Sequence, residues 1–245
     1  MKILLILLPF FLQAAIAADP SYATQPVPRD EAWKKRHESF NEISKKGEAN
    51  LVFLGDSITQ GWSGKGKATW EKFYAPRKTA NFGIGGDRTE HVLWRLQNGN
   101  FDGLSPQLIV LMIGTNNTGH EGRPQKELNG ATYHCTAVQT AEGVKLILDA
   151  LKKKCPSSKI LLLGIFPRGE KPTDAMRQQN IATNALIAKY ADGVAVHYLD
   201  LSPTFLQPDG TLTREIMPDL LHLSEKGYAK WAEAMEPNLK KLLGE

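Results

Sequence analysis

Five short apolar runs recur along the chain, and apolar residues at helical spacing fill the intervals between them. The first run, Leu51-Val-Phe-Leu54, is cut off by Gly55. Four consecutive apolar residues do not suit a strand with one wet face, and they predict one buried on both sides. Residues 78–83, 107–113, 159–165 and 194–200 predict four more strands, with 107–113 the most apolar and expected at the centre. Trp33, His37, Phe40 and Ile43 mark one face of a helix over about 30–46, where His37 reads as a packed residue. Helical patterns also run over 88–96, through Val138, Ala141, Val144, Leu148 and Leu151, and over 173–190. Ser224 can cap a closing helix with Tyr228, Trp231, Met235 and Leu239 on its core face and a kink at Pro237. Strands alternating with helices in this way predict an α/β fold, a doubly wound parallel sheet. No repeat and no second-domain linker interrupts residues 30–245, so a single domain is expected there.

The remaining segments refine that picture. Residues 1–17 combine Lys2, a short apolar stretch and Ala15-Ile-Ala17, the pattern of a secretory signal peptide. The stretch is short for a membrane span. It predicts a secreted or periplasmic protein with no stable membrane insertion after cleavage. Residues 18–29, polar and Pro-containing, read as a linker or surface strap. Ser63-Gly-Lys-Gly-Lys67 reads as a mobile loop, without the residue order of a phosphate-binding loop. Residues 118–135 read as a long polar loop, a candidate substrate wall or lid. His120 and His134 within it are weak evidence for a metal, and no metal or cofactor is expected. Cys135 and Cys155 flank a helical pattern that would hold them up to roughly 30 Å apart, whereas a disulfide needs Cα atoms within about 7 Å. Two free thiols are therefore expected. The net charge of +4 is small and scattered, which argues against a nucleic-acid partner. Lys152-Lys-Lys154 reads as a complement to a helix dipole.

Candidate chemistry gathers where strands end. Ser57 follows Gly55-Asp56 at a strand-to-helix turn, where a hydroxyl is pushed out beside free helix-start N–H groups. Such groups can hold a developing negative charge, so Ser57 is a candidate nucleophile, against the commoner reading of a helix cap. Asn81-Phe-Gly-Ile-Gly-Gly-Asp87 ends the second strand, and the N–H of Gly86 is expected to face the same space. Gly114-Thr-Asn-Asn117 ends the third, and Asn116 can donate from its amide into the cleft. Asp219 and His222, three apart before the closing helix, have the spacing of a base and its orienting carboxylate. Each signal alone also fits a turn or cap. Together they converge on the carboxyl edge of the sheet, where open α/β folds place their sites. Asp56, Asn117 and Arg168 are further candidates for substrate contact. Asp56 also reads as a brace for the turn, and Arg168 equally as a partner for Glu170.

These blocks resemble the SGNH, or GDSL-like, hydrolase superfamily. Gly55-Asp-Ser-Ile58, Gly86 within its glycine-rich stretch, Gly114-Thr-Asn116 and Asp219-Leu-Leu-His222 occur in the family's order over residues 51 to about 230. Within it the chain is most similar to the catalytic subunits of platelet-activating-factor acetylhydrolase, through residues 81–87, 91–96, 114–117 and 167–172. The resemblance implies a three-layer, flavodoxin-like, five-stranded parallel sheet. It implies a serine esterase with Ser57 as nucleophile, His222 as base, Asp219 as orienter, and an oxyanion hole of Ser57, Gly86 and Asn116. The polar loops favour short acyl groups, such as acetyl, on a polar alcohol such as a carbohydrate. The alternatives are a lipase or phospholipid acetylhydrolase, and a non-catalytic carbohydrate-binding protein on the same scaffold. The partner expected is a small-molecule or glycan ester, and no oligomeric state follows from the sequence.

Overall fold

The computed structural model describes residues 21–245, so the expected signal peptide lies outside the described residues. Five parallel strands form one sheet: β1 Leu51–Gly55, β2 Thr79–Gly83, β3 Leu108–Met112, β4 Lys159–Leu163 and β5 Val196–Leu199. Their order is β2-β1-β3-β4-β5. Every residue of β1 and β3 is buried, as continuous apolar runs require. Among the described residues, nine α-helices accompany the strands: α1 Glu31–Lys46, α2 Ser57–Gln60, α3 Lys67–Phe73, α4 Thr89–Gln97, α5 Thr115–Gly119, α6 Ala137–Lys154, α7 Ala175–Ile187, α8 Ser202–Phe205 and α9 Glu225–Leu243.

The sheet separates two cores. Val52 and Leu54 point to one, closed by α1, α4, α6 and α7 through Phe40, Val92, Leu148 and Ile187. Leu51 and Phe53 point to the other, closed by α8 and α9 through Phe205, Trp231, Met235 and Leu239. Full burial of such a side chain contributes about 1.5–3 kcal/mol. The helix ends follow local chemistry. Asp30 accepts from Trp33 N at 2.9 Å to start α1, and Gly47 ends it at φ 68°. Thr136 and Gln139 form a capping box at α6. Ser224 caps α9, which carries Pro237 internally.

The two expected loops are compactly built. Residues 61–63 form a 3₁₀ turn and α3 begins at Lys67, so the glycine- and lysine-rich patch is a compact connection rather than a mobile loop. A side chain on Gly66 would overlap Trp62 and Tyr228, so only glycine lets this turn pack so closely. Residues 118–135 begin within α5 and form the expected long loop after its end, with internal bracing. They bridge Pro124 to Thr132 and contain a 3₁₀ turn at Lys126–Leu128. Arg88 anchors them: its fully buried guanidinium pairs with Glu127 and Glu90 and lies 4.3 Å from the Tyr133 ring centroid. Cys135 and Cys155 are free and buried.

Candidate active site

Strand order places β1 beside β3 while the chain runs outward to β2 first, which makes their carboxyl ends the switch point of the fold. Asp56 follows β1 and caps α2, its Oδ1 accepting the Ile58 N–H at 2.9 Å. The cap is therefore Asp56, and Ser57 is the first helical residue, half-buried with its hydroxyl free for other work. Asp56 itself is buried, and its Oδ2 has no partner. Desolvation pushes its carboxyl up to about 7, against the Ile58 hydrogen bond that favours the charged form. The short helix is also held from far along the chain, where Tyr228 of α9 donates its hydroxyl to Ile58 O at 2.6 Å.

Ser57 Oγ lies 2.9 Å from His222 Nε2, although 165 residues separate them. His222 Nδ1 lies 2.6 Å from Asp219 Oδ2, while Asp219 Oδ1 accepts the backbone N–H groups of Leu221 and His222 at 3.1 and 2.7 Å. With Nδ1–H donating to the carboxylate, Nε2 is left to accept the serine proton. Burial alone would raise the Asp219 carboxyl; the hydrogen bonds from the His222 ring and backbone outweigh it and hold it below the usual range. The turn that achieves this uses Leu220 at φ 61°, a left-handed conformation costly for a branched side chain. Gly169 N donates to Leu220 O at 2.9 Å and fastens the turn to the loop after β4.

The glycine-rich turn after β2 comes beside the serine. A Cβ built on Gly85 would stand 3.6 Å from Ser57 Cβ. Gly86 adopts φ +79°, open to glycine. Among the described residues, neither the Ser57 nor the Gly86 backbone N–H has an acceptor. Asn116 Nδ2 donates one N–H to Asp87 O at 2.9 Å, which leaves its second N–H for another acceptor. Ser57, Gly86 and Asn116 thus offer three donors at the sheet edge.

Two candidates for substrate contact do not reach the cleft. Asp56 is buried beneath Ser57. Asn117 is fully buried, accepting from Thr89 N and donating to Thr89 Oγ1 and Tyr133 OH. Their side chains brace the two turns. Arg168 does not pair with Glu170; its Nη1 donates to Thr115 O at 2.7 Å. Burial and the neighbouring Arg123 lower its basicity, while Asp56 and Asp219 raise it. His37 is packed in the core, its Nε2 2.9 Å from Asn98 O. His120 contacts Arg88, and His134 pairs with Glu121. Among the described residues no group of three or more His, Cys, Asp or Glu is placed to hold a metal.

Sequence reasoning passed over Asp87, whose sole signal was closing the glycine-rich stretch. Its fully buried carboxylate accepts from Trp33 Nε1 at 2.6 Å and Arg95 Nη1 at 2.8 Å, and Arg29 Nη1 lies 3.4 Å away.

The family model described as GDSL-like Lipase/Acylhydrolase matches residues 53–230. A curated relative, platelet-activating factor acetylhydrolase IB subunit alpha1 from Bos taurus, is 35% identical over 93% of this chain and 93% of its own. The alpha2 subunit from Rattus norvegicus is 35% identical over 91% and 90%. A solved structure from Bacteroides fragilis superposes with a TM-score of 0.68 at 23% identity, covering 88% of this chain and 99% of that one. An acetylxylan esterase from Geobacillus stearothermophilus gives 0.59 at 18%, covering 79% and 93%. The structural likenesses show the fold. The curated relatives also correct one expectation. The proteins matched over nine-tenths of the chain are acetylhydrolase IB subunits, a kinship that speaks against the secreted or periplasmic location read from residues 1–17.

Proposed function

The chain belongs to the GDSL-like lipase/acylhydrolase family and so hydrolyses ester bonds, and from that premise we propose that it removes short acyl groups, chiefly acetyl, from a polar alcohol by a Ser-His-Asp mechanism. The observation that carries the reading is the continuous relay Ser57 Oγ–His222 Nε2–Asp219, at 2.9 and 2.6 Å. His222 takes the Ser57 proton as the oxygen attacks the ester carbonyl. Asp219 keeps the imidazole in the productive tautomer and stabilises the imidazolium. The N–H groups of Ser57 and Gly86 and the free N–H of Asn116 hold the oxyanion. His222 then protonates the leaving alcohol, and water repeats the cycle on the acyl-enzyme to release the acid.

Acetyl is favoured because the curated relatives are named acetylhydrolases and a structural neighbour is an acetylxylan esterase. The surface around His222 agrees with a polar alcohol: Lys65, Glu215, Lys226 and Asp219 line it beside Pro218 and Leu223. A carbohydrate ester suits that surface. A phospholipid acetyl ester is the second reading, favoured by the relatives' names. Steady-state kinetics on p-nitrophenyl esters of increasing chain length, followed by acetylated sugars and an acetylated phospholipid, decides between them. Ser57→Ala and His222→Ala are expected to lose turnover with melting temperatures near wild type. Wild-type-like turnover by either variant overturns the mechanism, and a preference for long acyl chains overturns the substrate class.

A further inference from the structure

We propose that Arg29, delivered by the segment ahead of α1, is a positioning residue for the oxyanion hole, aiming the Gly86 N–H by holding the opposite side of the same peptide unit. The inference rests on the Ser57 reading above.

Arg29 Nη1 donates to Gly85 O at 2.7 Å. The Gly85 carbonyl and the Gly86 N–H belong to one planar trans peptide, so they point in opposite directions and turn together. Two adjacent glycines give that plane unusual freedom to rotate. A guanidinium on the oxygen removes the freedom and fixes where the N–H points. It also polarises the amide, because a charged donor on the oxygen makes the attached N–H a stronger donor. Arg29 lies directly against Gly86, where an added Cβ would meet its Nη1 at 3.0 Å.

The arginine is itself held in place. Asp87 Oδ1 lies 3.4 Å from Arg29 Nη1, and the same carboxylate is fixed by Trp33 and Arg95. Arg95 Nη2 donates to Phe82 O at 2.7 Å, which ties the group to β2. The backbone oxygen of Asp87 orients Asn116. One residue therefore links both donors that join the Ser57 N–H in the proposed hole. The Arg29 side chain is 27% exposed, and Asp87 keeps Arg95 and Trp33 in its absence. Replacing Arg29 thus leaves no unpaired buried charge, and the variant is expected to fold.

The test compares wild type, Ser57→Ala, Arg29→Ala and Arg29→Lys on p-nitrophenyl acetate, with thermal melts of each and with millimolar guanidinium added to Arg29→Ala. A misaimed oxyanion donor is expected to lower kcat by about 10- to 100-fold. KM and melting temperature should stay close to wild type, lysine should recover part of the rate, and guanidinium should recover part of it in the alanine variant. An Arg29→Ala kcat equal to wild type, with Ser57→Ala inactive, overturns the inference and leaves the mechanism standing. So does a loss that shows as a raised KM or a lowered melting temperature without guanidinium rescue, the mark of a merely structural arginine. Full turnover by Ser57→Ala instead removes the mechanism beneath it.

Discussion

Asn116 holds one amide N–H on Asp87 O and keeps the other free at the sheet edge. In the proposed mechanism that free N–H meets charge only as the tetrahedral intermediate forms. Asn116→Ala should therefore lower kcat by about 10²–10³-fold and leave KM nearly unchanged; a rise in KM with kcat preserved would contradict it. Asp56 yields a prediction about stability. Its carboxyl rises from 3.8 to about 7 in the fold, so the native state keeps the proton while the unfolded chain releases it. The stability this contributes is complete below 3.8 and is lost as pH rises through about 7. Asp56→Asn stays neutral and can still cap Ile58. Its melting temperature relative to wild type should climb between pH 5 and pH 8, and a constant difference would argue against the shift. Ser57, Asn116, Asp219 and His222 were all legible in the sequence, because each lies in a short motif at the end of a predictable run. The titration of Asp56 was not, since it depends on burial and on an oxygen left without a partner.

The element that sets the serine is α2, only four residues long and dependent on its neighbours. Its Ile58 carbonyl is held by the Tyr228 hydroxyl, so Tyr228→Phe should cost about 1–2 kcal/mol, seen as a lower midpoint in urea. The strands were readable because apolar runs depend on local sequence. The connections at 63–67 and 118–135 were legible as loops, but their tight packing was not, because it is imposed from a distance, by Trp62 and Tyr228 on one and by Arg88 on the other. Charged residues read as exposed by default, and Arg88, Glu90 and Arg95 are fully buried instead. Hydrogen bonding by His91, together with Arg88, holds the Glu127 carboxyl below its usual range. Glu127→Gln should loosen residues 120–135, with faster amide exchange there than in β1 or β3; unchanged protection would show that Arg88 does not anchor them.

At the scale of the whole molecule, the family's motifs mark the fold because each falls at one edge of one sheet. The order β2-β1-β3-β4-β5 brings the turn after β1 under the turn that precedes α9, and a hydroxyl near the front of the sheet meets an imidazole near the end of the chain. What the sequence could not disclose was the scaffolding between these points. The Asp87 clamp joins residues from the segment before α1, from α1 itself and from α4, and no spacing rule connects them.

The imidazole of His222 and the carboxylate of Asp219 are 44% and 55% exposed, on a rim rather than at the bottom of a well. An ester that projects from something too large to be swallowed could still be docked there, since only its final few atoms would have to descend. Decorated polymers and crowded surfaces then fall within reach as readily as free small molecules, and the bulk behind the scissile bond should matter little to the rate.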